Sequence, residues 1–132
     1  MNKYTITSLA AIIMLIVEWG CKKADPAITI EEQSNVEIAS PYESQTFKTN
    51  DTVFIKAQIN AGVEMHGYEI SLVKNDSVVI YAESEHVHCT EIDIEKKWVN
   101  NLTGQNELKL TIKATVDHEG MEMSKCIVFK TE

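Results

Sequence analysis

The chain holds four histidines, His66, His86, His88 and His118. Two stand one residue apart in "SEHVHCTE"; the others lie in "EMHGYE" and "VDHEGM". On extended backbone, residues two apart project from the same side. His86 and His88 are therefore expected to form one pair of imidazoles. Imidazole nitrogen is a ligand for zinc, copper and nickel. Zinc takes four N, S or O donors at about 2.0–2.3 Å in a tetrahedron, so a pair is half a site. The other donors would come from His66 and His118. Glu64, Asp117 and Glu119 flank those two and are candidates to hold an imidazole through its second nitrogen. Cys89 follows His88 and points to the opposite face on regular strand backbone, which leaves it outside the ligand set. Met65, Met121 and Met123 lie near the same stretches and would matter for Cu(I). The spacing of Met121 and Met123 equally fits strand packing.

A plainer reading stands beside this one. Histidines in loops are by default exposed polar residues, and Glu83, Glu85 and Glu91 read as a solvated strand face. Whether the four imidazoles meet decides between the two, and that depends on the elements carrying them. Period-two alternation runs almost throughout. "NVEIASP" is a first short strand closed by Pro41. "DTVFIKAQINA" places Val53, Ile55, Ala57, Ile59 and Ala61 on one face and Phe54, Lys56, Gln58 and Asn60 on the other. "GYEISLVK", the turn "KNDS" and "SVVIYAE" follow as a hairpin. "TEIDIEKKW" alternates through Ile92 and Ile94, although the stretch from Glu95 to Leu102 allows one helical turn near Trp98. "ELKLTIKATV" points Leu108, Leu110, Ile112, Ala114 and Val116 inward, and "MEMSKCIVFK" returns.

About seven short strands with turns between them imply an all-β fold. The expected architecture is an immunoglobulin-like or fibronectin-III-like antiparallel β-sandwich, with a closed barrel as the alternative. In that topology "GVEMHG" is a loop at one end. "ESEHVH" returns to the same end, and so does "DHEG". All four histidines then converge.

The first 20 residues have a different character. Lys3 supplies a positive start, and Leu9–Val17 is an unbroken apolar run, too short to span a bilayer. The run ends at "EWGC". Residues 1–20 are read as a lipoprotein signal peptide, Cys21 as the lipidated residue, 21–33 as a flexible tether and 34–132 as the folded domain. There is no arginine, and the net charge is −8. That excludes nucleic acid as a partner, since phosphate needs basic neutralisation. With Cys21 lipidated, Cys89 and Cys126 remain; they form either one bridge or two buried apolar thiols. Nothing matches a nucleophile elbow, a phosphate loop or a dinucleotide fingerprint, so no enzymatic activity is expected.

The leader with its terminal Cys, the polar tether, "IASPYESQTFKTNDTVFIKAQINA" and "LKLTIKATVDHEG" resemble small bacterial lipoproteins with a single immunoglobulin-like domain. "MHGYEI", "HVH", "KKWVNN" and "DHEG" are similar to a histidine-containing subset of them. The resemblance implies metal handling at the cell envelope. The function expected is binding of zinc or copper through the histidine cluster, with the membrane reached by the lipid on Cys21. The alternative is an accessory module that docks on an envelope protein and carries incidental histidines. A carbohydrate- or haem-related surface has little support in the sequence.

Overall fold

The computed structural model describes residues 34–116 and 120–132. Cys21 with the leader and tether, and the segment Asp117, His118, Glu119, lie outside the described residues. Among the described residues eight strands follow in order: β1 (Asn35–Ser40), β2 (Thr46–Phe47), β3 (Thr52–Met65), β4 (Gly67–Lys74), β5 (Val78–Glu85), β6 (Cys89–Val99), β7 (Asn106–Thr115) and β8 (Glu122–Thr131). They form two sheets, β1-β3-β6 and β2-β8-β7-β4-β5. All pairings are antiparallel except the two-residue β2, which lies parallel to β8. This is the expected immunoglobulin-like sandwich, with one more strand than the alternation announces. β2 is too short for period two to register.

The alternation holds where it is clearest. Val53, Ile55, Ala57, Ile59 and Ala61 of β3 are buried, as are Leu108, Leu110, Ile112 and Ala114 of β7 with Val116 just beyond it. Tyr68, Ile70 and Leu72 of β4 meet Ile94 and Trp98 of β6 and Phe129 of β8 in the same core. Apolar side chains on alternate residues bury one face of each sheet against the other, the usual driving force of a sandwich. At the "KNDS" turn, Asn75 and Asp76 take positive φ of 49° and 57°. These residue types tolerate the left-handed region, and two such residues in a row make the tight hairpin turn.

Three expectations are corrected. "GVEMHG" is not a loop: β3 continues to Met65, which is fully buried, and only His66 separates β3 from β4. A bulge makes this possible. The β3–β6 register shifts between Asn60 and Met65, Gly62 adopts φ 69°, and its N–H donates to Asn60 Oδ1 at 3.1 Å. The helical turn near Trp98 is also absent. Trp98 sits on β6 opposite Val53, where sheet pairing and burial override the local charge pattern. Finally, Cys126 is exposed on β8, while the partly buried Cys89 packs against the core from β6. The two thiols belong to different sheets and both are free.

Candidate metal centre

Three connections matter at the end where β3, β5 and β7 finish. His66 is the corner between β3 and β4. Its N–H donates to Thr115 O at 2.8 Å, tying the corner to the end of β7. Gly67 pairs with Thr115 in register. A Cβ on Gly67 would stand 2.7 Å from Glu85 O, so only glycine lets this corner press against the end of β5. The chain then leaves β5 through His86, Val87 and His88. Val87 packs against the core and both histidines are exposed, so the period-two alternation continues past the last paired residue of β5.

These constraints bring three imidazoles together. The His86 and His88 rings lie 4.7 Å apart, centroid to centroid, with planes at 90°. The His66 and His88 rings lie 5.3 Å apart at 88°. Glu64, on the bulged end of β3, places Oε1 3.1 Å from His88 Nδ1. In the tautomer that carries the Nδ1–H, His88 donates to that carboxylate and Nε2 faces away from it. Cys89 packs against the core, away from His88, where the β3–β6 register shifts and the alternation of β6 breaks. Among the described residues, no group of three or more His, Cys, Asp or Glu side chains stands arranged to hold a metal ion. The rings meet edge to face, so their in-plane nitrogens do not yet converge. Of the seven residues named for the site, His66, His86, His88 and Glu64 adjoin one another; His118, Asp117 and Glu119 fall outside the described residues.

Beside the rings lies an open depression of about 390 Å³, lined in part by His66, His86, Glu69, Ser84 and Lys113. Lys113 Nζ sits 3.2 Å from Glu122 Oε1 and 3.5 Å from Glu69 Oε2. Those carboxylates, Glu122 first, raise the lysine pKa.

A second polar array escaped the sequence reading. Glu83 is half-buried and Glu85 stays exposed, yet both carboxylates are held in a polar array rather than standing free on a strand face. They stand opposite Ile70 and Tyr68, on the core-facing register of β5. Lys96 occupies the core-facing register of β6, opposite Ile55. The two edge strands thus each turn charge inward and meet across the open side of the sandwich. Lys96 donates to Glu83 and lies 3.8 Å from Glu85; Tyr81 donates to Glu83, and Tyr68 to Glu85. The hydrogen bonds from Lys96 and then Tyr81 hold the Glu83 carboxyl below its usual range. Glu83 in turn raises Lys96. Burial, then the bond to Glu83, pushes Tyr81 up to about 12. Burial, then Glu85, also pushes Tyr68 upward. The sequence signal was available: Glu83 and Glu85 share the parity of Tyr81, and Lys96 that of Ile94 and Trp98.

No family model and no curated protein matches the sequence. Among solved structures, a fibronectin(III)-like module of Clostridium thermocellum CbhA is similar at 15% identity and TM-score 0.47, over 74% of this chain and 94% of that one. A CARDB domain from Pyrococcus furiosus, solved with di-metal ions, is similar at 11% identity and TM-score 0.43, over 74% of this chain and 90% of that one.

Proposed function

We propose that this chain is a lipid-anchored domain of the cell envelope that takes up a transition-metal ion, zinc or copper, at its histidine-bearing end. The observation that carries the reading is the spacing of the rings. Two imidazoles sharing a tetrahedral ion through nitrogens at about 2.0–2.1 Å have centroids about 5 Å apart. The His86–His88 separation of 4.7 Å is close to that value. What differs is orientation. His86 and His88 are exposed, and exposed side chains rotate on a ps–ns timescale. The ion therefore organises its own ligands by turning rings that already stand at the right distance. Such a site is weaker than a rigid one, which suits sequestering or passing on an ion better than permanent structural use. Borderline divalent ions fit imidazole donors, whereas the inward-facing Cys89 and the buried Met65 are turned away from the rings.

The test is equilibrium dialysis of the purified protein against Zn(II) and Cu(II) at neutral pH. The protein retains metal, and the double variant His86→Ala/His88→Ala loses it. His118→Ala, compared in the same experiment, reports whether that residue adds a ligand. No retained metal in the parent protein contradicts the reading.

A second reading, a non-catalytic interaction module, is favoured by exposed apolar side chains at Tyr42, Phe54, Val79 and Val99. It expects an envelope partner to be captured equally well by a variant with all four histidines replaced by alanine.

A further inference from the structure

We infer that the bound ion is shared by two copies of this chain, each contributing His86 and His88. This rests on the metal-binding reading and specifies the partner of the same site. The segment between β5 and β6 is a short extended tip. Val87 anchors it to the core, while the imidazoles on either side point to solvent. The side chain of His88 is 53% exposed even with Glu64 against it. Because Nδ1 of His88 is engaged by that carboxylate, its free nitrogen Nε2 lies on the other side of the ring, away from Glu64. His66 differs in kind. It is half-buried, its backbone is tied to Thr115, and its ring packs against His88. It flanks the pair as a wall.

One chain's exposed pair therefore fills two corners of a tetrahedron and leaves two facing solvent. A second copy brought up about a two-fold axis offers an identical pair, and the four nitrogens complete the shell. Two-fold pairing is self-complementary, so one exposed motif suffices. Electrostatics makes the contact conditional. Each chain carries a net charge of −8, so copies repel, and a divalent cation at the tip is what offsets that repulsion.

The test is sedimentation velocity of the purified full-length chain in EDTA and in excess Zn(II), with zinc per chain measured on the sedimenting species. The expected result is a doubling of mass only with zinc, at one ion per two chains. His86→Ala and His88→Ala each abolish the doubling with an unchanged circular dichroism spectrum, since both side chains are exposed. One ion per chain with no change in mass overturns the shared site and leaves the metal-binding reading standing. No bound zinc overturns both. A doubling that persists in EDTA overturns the shared site as well.

Discussion

Glu64 and Gly67 show how single residues set the geometry of the histidine end. Glu64 holds the His88 ring through Nδ1, so Glu64→Ala should weaken zinc binding about 10- to 100-fold without altering the fold, as loss of a group that orients a ligand does. Isothermal titration of the two proteins checks this; equal affinities would remove Glu64 from the site. Gly67→Ala brings a methyl against the Glu85 carbonyl, and backbone yields little. We expect a loss of about 1–3 kcal/mol in urea unfolding, with zinc affinity falling as His66 and the β5 end separate. The His86–His88 pair was legible in the sequence because period two is a local rule. The closeness of His66 was legible only through topology. The role of Gly67 was not, because no local pattern says which backbone another strand will approach.

At the scale of elements, two features govern how the sheets are closed. Asn100, the residue after β6, is fully buried. Its side-chain N–H donates to Lys48 O at 2.9 Å, its Oδ1 accepts from Leu102 N–H at 3.1 Å, and its carbonyl accepts from Asn50 N–H at 2.7 Å. Asn100→Ala leaves the first two partners unsatisfied and should cost about 1–3 kcal/mol for each group stranded, read as a lower melting temperature. An asparagine in a run of loop-type residues gave no hint of this in the sequence. The second feature is the Lys96 array joining edge strands β5 and β6. Glu83 has a lowered folded pKa, so its contribution is present above its ordinary 4.5 and is lost as pH falls through the folded value. Lys96 and Tyr81 have raised folded pKa values. Their contributions are present below about 10 and fade as pH rises, for Tyr81 between 10.0 and about 12. Unfolding free energy should therefore fall at both extremes. In Lys96→Met the acid-side fall should shrink, because Lys96 is the largest cause of the Glu83 shift. An unchanged pH profile in that variant would show that the array does not couple the two edges. Charges that point inward from edge strands also deter pairing with another chain, which gives the array a use beyond stability.

Over the whole molecule, the fold class and the core faces of β3, β4 and β7 were legible, because burying alternate apolar residues is what makes a strand half-buried. The long β3 and the pairing of Lys96 with Glu83 were not, although the parity of those charges was on view in the sequence. A bulge and a cross-sheet ion pair depend on partners distant in sequence. The thiols follow the same logic. Cys126 is exposed and Cys89 partly buried, and the two lie in different sheets. Native labelling should modify Cys126 quickly and Cys89 slowly, and a reductant should leave the melting temperature unchanged. A bridged protein would label at neither position. Everything proposed for the histidine end depends on a metal ion binding between His86 and His88. The most direct measurement follows the imidazole ring signals by NMR as Zn(II) is added. Saturable shifts are expected at His86 and His88, smaller ones at His66, and none at the distant Trp98 indole. Ring signals that stay fixed while zinc is added, or that move only elsewhere, would contradict that binding.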